Sequence, residues 1–313
     1  MIGRAPDRMA KTVHLIPKDN AIKRLVFDEA TMTLRPNLVL VNRKGSVVFE
    51  INELGLKGVA RDPSRKLAVV WGDSVVFGVR WGWPHLLDEF APGYQFLNGG
   101  IEADPYDNIL RRATAFNRAN AVALNIVMLG WHPMHIASPP ASANRRSRLE
   151  TLRGWVRKAA LAVRPPAPAI RQGPAHTPKP QATNERLRAD LLAFLESTPN
   201  TVLVTMPTAL NRNNFDQDIS PYFRSRRPNF YFIGEIPYSI EVQQYLFEMI
   251  TERNAITREA AQATGVRLLD LDAEYGTERM ADFRQNFFDV LHIRPVRYRQ
   301  TAEIVYQGIK DLL

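Results

Sequence analysis

Cysteine is absent from the 313 residues of the chain. This absence excludes disulfide bonds, thiolate metal ligands and a cysteine nucleophile, and it suits a reducing compartment. The first twenty residues are polar and mixed in charge, without the apolar run of a secretory signal peptide. Apolar runs of membrane-spanning length are missing as well, since the best candidate, Ala121–Trp131, has the length of a strand. We therefore predict a soluble, cytoplasmic protein.

The net charge of +9 is concentrated in one segment. Residues 141–188 hold eleven Lys or Arg and two acidic residues, which accounts for the whole excess and leaves the rest of the chain formally neutral. Such a segment can contact acidic polymers or membrane surfaces electrostatically, or be a solvated, mobile excursion that only keeps the protein soluble. We predict no specific nucleic-acid partner.

Short apolar runs that end in turns alternate with helical patterns along most of the chain. Helical patterns cover residues 107–118, 240–264 and 295–313. Buried strands that alternate with helices predict a parallel sheet covered on both faces, here a three-layer α/β/α sandwich of about five strands. Ligands bind such sheets at the carboxyl ends of the strands. The five runs are Leu67–Trp71, Tyr94–Leu97, Ala121–Leu129, Thr201–Thr205 and Val266–Asp270.

Two regions lie outside this alternation. Residues 1–60 contain apolar runs such as Leu38–Val41 between turn signals, which predicts a small β-rich preface before a main domain over 61–313. Residues 138–183 are rich in Pro, Ala and Arg, and their prolines cannot continue a helix or a central strand. We predict that this insertion is a mobile linker, with a helical pattern at Leu149–Leu161.

The first predicted strand ends in Gly72-Asp73-Ser74. A serine on the tight turn after a buried strand is held at the carboxyl edge of the sheet, exposed to substrate, and the following helix points amide donors towards it. By itself the motif is also what a serine N-cap at a strand-to-helix turn would give.

Asp289 and His292 form a second candidate pair near the end of the sequence. Two intervening residues let one loop present a carboxylate and an imidazole, so that the aspartate holds one ring nitrogen while the other takes a proton from a serine. A histidine among aromatic residues can instead be a packed side chain. Ser74 follows the first strand and this pair follows the last, which favours a Ser-His-Asp triad.

With these motifs in this order, the chain from about Leu67 onwards resembles the SGNH hydrolase (GDSL-type) family. That family places its nucleophile in a Gly-Asp-Ser turn and its Asp and His in a late Asp-x-x-His loop, and residues 49–58 look like the segment that often precedes the nucleophile strand in bacterial members. The resemblance implies a flavodoxin-like fold and hydrolysis of a small-molecule or carbohydrate ester through an acyl-enzyme, without a cofactor. O-acyl transfer to a carbohydrate and a catalytically weakened binding protein remain alternatives.

The oxyanion donors of the family match only in part. Its second block, Asn-x-x-x-x-Gly, ends here in Ala103, and its third block, Gly-x-Asn-Asp, reads Gly130-Trp-His132-Pro133. The resemblance implies an oxyanion hole made by the amides of Ser74 and Ala103 and by the His132 ring, which can donate in place of asparagine. The differences from the family at these two blocks are equally consistent with a site that transfers the acyl group to another acceptor, or with one that has lost activity.

His132 and His135 invite a metal interpretation, with His85 as a third ligand. The spacing is a weak signal without carboxylate or thiolate partners, and we predict no metal. Trp81, Trp83 and Trp131 fall in or beside the predicted site loops, and we predict that they line the substrate pocket. The alternative for Trp131 is a core position at the end of a strand.

Overall fold

The computed structural model describes residues 11–14, 26–28, 31, 33–42, 44–102, 104–131, 180–217, 219, 232–233, 236–237, 240–276 and 283–313. Its strands are β1 Lys11–His14, β2 Phe27–Asp28, β3 Thr33–Leu34, β4 Leu38–Val41, β5 Val47–Ile51, β6 Lys66–Gly72, β7 Tyr94–Gly100, β8 Val122–Met128, β9 Thr201–Val204, β10 Phe232–Ile233, β11 Ile236–Pro237 and β12 Arg267–Leu269. Its α-helices are α1 Ser74–Phe77, α2 Leu87–Phe90, α3 Tyr106–Ala119, α4 Pro180–Ser197, α5 Ile240–Thr264, α6 Leu271–Glu274, α7 Phe283–Asn286 and α8 Tyr298–Ile309. Short 3₁₀ turns lie at Pro84–Leu86, Pro295–Arg297 and Lys310–Leu312.

The central sheet has five strands in the order β12-β9-β8-β6-β7, and every pair is parallel. The predicted parallel sheet of about five strands is confirmed. Counted along the chain from β6, the order from one edge is 2-1-3-4-5, which is the flavodoxin-like arrangement. The strand order reverses between β6 and β8, so the carboxyl ends of these two strands border the crevice in which such sheets bind ligands.

Alternate side chains of β6 pack into two separate hydrophobic cores, one on each face of the sheet. Ala68 and Val70 face a layer formed by α1, α2 and α8, and Val69 and Trp71 face a layer formed by α3, α4 and the later half of α5. Because helices cover both faces, β6 is apolar on both sides and reads as a continuous hydrophobic run rather than an alternating one. The predicted three layers are therefore present.

The preface contributes a three-stranded sheet in the order β1-β4-β5. It joins the central sheet through Lys57, whose backbone N–H donates to Asn98 O at 2.9 Å and whose carbonyl accepts from Asn98 N at 3.0 Å. Asn98 belongs to β7, the strand at that edge of the central sheet. The domain boundary at residue 60 stays a prediction.

Helix α4 is an element that the sequence analysis did not identify. It begins at Pro180, inside the segment read as a linker, and the remainder of that segment, with the helical pattern at 149–161, lies outside the described residues. Proline is acceptable in the first turn of a helix because its missing N–H would have no partner there. The buried face follows helical spacing and consists of Leu187, Leu191, Phe194 and Leu195. None of the helices that the structure describes combines the length and apolar character needed to cross a bilayer.

Candidate active site

Three of the predicted site residues meet at the carboxyl end of β6. Ser74 Oγ lies 2.8 Å from His292 Nε2, although the two residues are 218 positions apart in the sequence. His292 Nδ1 lies 2.7 Å from Asp289 Oδ2. The side chains of His292 and Asp289 keep 28% and 30% of their surface exposed, so a substrate in solution can reach the imidazole.

The turn that carries Ser74 is fixed by its neighbours on both sides. Asp73 caps α1, since its Oδ1 accepts from Val75 N at 2.9 Å and its carbonyl accepts from Phe77 N at 2.9 Å. Helix α1 is a single turn that starts at Ser74 itself. The serine hydroxyl is thereby held at the start of the helix, above the last residue of the strand.

The loop that carries Asp289 and His292 is closed by its own backbone. Asp289 Oδ1 accepts from Leu291 N and from His292 N, both at 2.8 Å, which leaves Oδ2 directed at the imidazole. Phe288 N donates to His292 O at 3.0 Å, and the Phe288 ring stacks on the imidazole with centroids 5.2 Å apart. These contacts fix the orientation of the ring before any substrate binds.

The two titratable groups of this loop shift each other's pKa. Burial by itself raises the pKa of Asp289, but the charge of His292 and the hydrogen bonds from its ring and from the loop amides hold that pKa below its ordinary value. Burial likewise lowers the pKa of His292, yet the Asp289 carboxylate raises it above its ordinary value. Asp289 is therefore ionised at neutral pH, and it stabilises the tautomer in which Nδ1 carries the proton and Nε2 accepts from Ser74.

The other predicted oxyanion residues lie outside the described part of the chain. This applies to Ala103 and His132, and also to His135 of the metal interpretation. Asn98 follows the predicted run Tyr94–Leu97 and lies inside β7, which continues to Gly100. Its amide Nδ2 donates to Val76 O at 2.9 Å and so ties β7 to the helix that carries Ser74.

Only one of the three predicted pocket tryptophans keeps exposed surface. Trp83 is 0% exposed and Trp131 6% exposed, and both pack in the core between the sheet and α8. Their rings therefore support the site loops rather than forming an open wall. Trp81 is half-buried, with its ring centroid 6.3 Å from that of His85. Trp81 packs against the core of the preface, and its place in the substrate pocket stays a prediction.

Beneath the site lies a cluster of buried polar groups that the sequence analysis missed. Burial raises the pKa of Asp73 to about 6 and lowers the pKa of Arg253 to about 10. Arg253 Nη1 donates to Gly130 O at 3.2 Å, and the guanidinium lies 5.1 Å from the centre of the Tyr106 ring. Gly130 in turn abuts Asp73, because a Cβ at residue 130 would come within 2.8 Å of the Asp73 Cβ. The cluster therefore fixes Gly130, two residues after the end of β8.

Among the described residues, no group of three or more His, Asp or Glu side chains is arranged to hold a metal ion. Burial lowers the pKa of His85 below its ordinary value. The described part of the site thus consists of a serine, an imidazole and a carboxylate in one hydrogen-bonded series.

Comparison with known proteins gives structural similarity alone. No family model and no curated protein matches the chain. The lipase/acylhydrolase from Enterococcus faecalis is 15% identical over 79% of this chain and 96% of its own, with a TM-score of 0.47. A GDSL-like lipase from Bacteroides thetaiotaomicron is 14% identical over 79% and 89%, with a TM-score of 0.45. The acetyl xylan esterase AlAXEase is 12% identical over 78% and 99%, with a TM-score of 0.47. The solved structures to which this chain is similar thus include GDSL-type lipases and acetyl xylan esterases.

Proposed function

We propose that the chain is a serine-dependent hydrolase of ester (O-acyl) bonds of the SGNH type. Ser74 is the nucleophile, His292 the general base and Asp289 the residue that orients the imidazole. The observation that carries the proposal is the pair of short hydrogen bonds, 2.8 Å and 2.7 Å, that link the three side chains at the carboxyl edge of a parallel sheet. A nucleophile in contact with a base that is itself oriented by a third group is the arrangement that activates a serine hydroxyl.

The reaction follows from the positions of the protons. His292 Nε2 takes the proton of Ser74 as the hydroxyl oxygen attacks the ester carbonyl, and Asp289 stabilises the imidazolium that forms. The imidazolium then protonates the departing alcohol, and the acyl group remains on Ser74. Water attacks this acyl-enzyme with His292 again as base, which releases the acid and restores the serine.

The oxyanion formed at each step requires hydrogen-bond donors. We assign the amides of Ser74 and Ala103 and the ring of His132 to this role. Loss of one such donor typically lowers kcat by about 10²- to 10³-fold. His132→Ala should therefore lower kcat while KM stays similar, and His132→Asn should recover part of the loss, because the interaction strengthens only in the transition state. An unchanged kcat in His132→Ala would remove His132 from the assignment.

The substrate class that we propose is a small-molecule or carbohydrate ester. Trp81 keeps exposed surface close in sequence to the nucleophile turn, and an aromatic face of this kind can stack on a sugar ring or receive an acyl chain. Assays with and without an added polysaccharide acceptor distinguish hydrolysis from acyl transfer, because both reactions start from the same acyl-enzyme.

The decisive test is chemical modification of Ser74. The wild-type protein should hydrolyse p-nitrophenyl acetate and react with a fluorophosphonate at Ser74, and Ser74→Ala should lose both properties with an unchanged melting temperature. His292→Ala should lose nearly as much activity, on the order of a thousandfold or more, and Asp289→Ala somewhat less. Ser46→Ala, at an exposed turn of the preface, is the matched control and should behave as wild type. Unchanged hydrolysis by Ser74→Ala would refute the proposal.

A further inference from the structure

Lys57 is a buried lysine that the proposed mechanism does not use. Its side chain is 1% exposed, and its ammonium lies 3.8 Å from the centre of the Phe77 ring and 4.6 Å from that of Phe49. The residue precedes β6 in the sequence and comes from the segment that joins the preface to the edge of the central sheet. Its side chain therefore points from the preface into the main domain.

The ammonium of Lys57 binds the helix that carries the nucleophile. Lys57 Nζ donates to Phe77 O at 2.6 Å and to Gly78 O at 3.3 Å. Phe77 is the last residue of α1 and Gly78 is its C-cap, whereas Ser74 is its first residue. Asn98 Nδ2 also donates to Phe77 O, at 3.2 Å. Side chains from outside the helix thus satisfy carbonyls at its carboxyl end that have no partner within it.

A helix of four residues cannot maintain its own geometry. Isolated helices shorter than about 12 residues are marginal in water, because the first turn fixes several residues for one hydrogen bond. The position of Ser74 therefore depends on what holds the two ends of α1. Asp73 holds the amino end, and Lys57 with Asn98 holds the carboxyl end.

We propose that Lys57 is a positioning residue for Ser74, because its ammonium anchors the carboxyl end of α1 and so keeps Ser74 Oγ within hydrogen-bonding distance of His292 Nε2. This inference rests on the proposed function, since it assigns Lys57 a part in placing the proposed nucleophile. Lys57 itself touches neither the substrate nor the reacting atoms.

Filling of space is not a sufficient reason for a lysine at this position. Burial lowers the pKa of Lys57 to about 7, although the charge of Glu102 acts in the opposite direction. Burial of a charge carries a desolvation cost, and that cost disappears when the charged group is replaced with an apolar one. A methionine would occupy the same space without the desolvation cost, but it lacks the donors that hold Phe77 O and Gly78 O. Activity and stability should consequently respond differently to this change.

The test is Lys57→Met, assayed with p-nitrophenyl acetate after titration of functional sites with a fluorophosphonate. We expect kcat per functional site to fall by about ten- to a hundredfold, since a misplacement of about 1 Å can cost a factor of 10². KM should stay within about twofold of wild type, and the melting temperature should not fall, because removal of the buried charge offsets the lost hydrogen bonds. Lys57→Arg, which keeps nitrogen donors, should recover part of the loss.

Lys66→Met is the matched control. The Lys66 ammonium also lies over an aromatic ring, 5.2 Å from the centre of Tyr94, but it is exposed at the amino end of β6 and should have no effect on kcat. If Lys57→Met does not fold, Lys57→Gln serves instead. The glutamine side chain is polar, but it is too short to reach both Phe77 O and Gly78 O.

Two outcomes would overturn the positioning role. One is a wild-type kcat per functional site in Lys57→Met or Lys57→Gln, and the other is a loss of activity that only accompanies a lower melting temperature. A wild-type protein that neither hydrolyses the ester nor reacts at Ser74 contradicts the proposed function instead, so the two failures are distinguishable.

Discussion

Gly100 lies where β7 approaches the helix that carries Ser74, and alanine at this position should displace both elements. A Cβ on residue 100 would stand 2.9 Å from Phe77 Cα and from the carbonyl carbon of Val76, and closer still to Phe77 N. These are backbone atoms, so no rotamer change relieves the overlap. Ordinary contacts of about 3.5 to 4.0 Å require α1 and β7 to separate by about 0.5 to 1 Å. We expect a loss of about 1 to 3 kcal/mol in the free energy of unfolding and, because Ser74 begins α1, a kcat lower by about 10²-fold.

The assay combines urea unfolding with hydrolysis of p-nitrophenyl acetate by Gly100→Ala and by a control, Gly93→Ala. Gly93 immediately precedes the same strand, and an added Cβ there meets no heavy atom within 4 Å. The control should match wild type in kcat and equal or slightly exceed it in stability, because alanine restricts the unfolded chain. A Gly100→Ala protein with wild-type stability and kcat would refute the close approach of β7 and α1.

Three further predictions concern ionisable groups. The value of kcat/KM should rise with pH through a midpoint above 6.5, because only neutral imidazole accepts the serine proton and Asp289 raises the pKa of His292. A kcat/KM that stays constant from pH 5 to 9 would contradict this prediction. Between about pH 4 and 6, Asp73 in the folded protein holds a proton that the unfolded chain has released. The free energy of unfolding should therefore fall by roughly 3 kcal/mol as pH rises through this range. Urea unfolding of Asp73→Asn at the same pH values should not show this decrease. Arg112→Met should lower the free energy of unfolding in urea by about 3 to 5 kcal/mol, because the buried Asp104 carboxylate loses its ion-pair partner. The double variant with Asp104→Asn should recover part of this stability. An unchanged free energy of unfolding in Arg112→Met would show that the ion pair is dispensable.

The elements that the sequence predicted correctly are those with strong local patterns. Four of the five central strands, β6 to β9, are mostly buried runs, so their identity does not depend on distant contacts. The fifth, β12, is an edge strand with Arg267 exposed. Asp289 and His292 lie three residues apart, and their loop hydrogen bonds are short-range. The sequence order of Ser74 and this pair was enough to predict that they meet.

The features that escaped prediction depend on long-range packing. Lys57 follows Leu56 and precedes Gly58, a context in which most lysines are solvated; its burial follows from backbone pairing with Asn98 about forty residues later. Arg253 lies on a long helix whose pattern does not show that one polar residue points under the sheet edge. Trp83 sits among residues typical of a site loop, and no local signal shows whether its ring faces the cleft or the core.

The pairing of Lys57 with Asn98 also affects how the molecule meets its copies. β7 is the outermost strand on its side of the central sheet, and an uncovered outer strand is a template for strand addition by another chain. Lys57 occupies both backbone groups of Asn98 on the outer side of β7, and Ile51 pairs with Lys57 beyond it. The preface thus covers this part of the outer strand and opposes edge-to-edge aggregation. A chain that starts after Gly58 should self-associate, as light scattering would detect, and it should also lack the Lys57 contacts at the carboxyl end of α1.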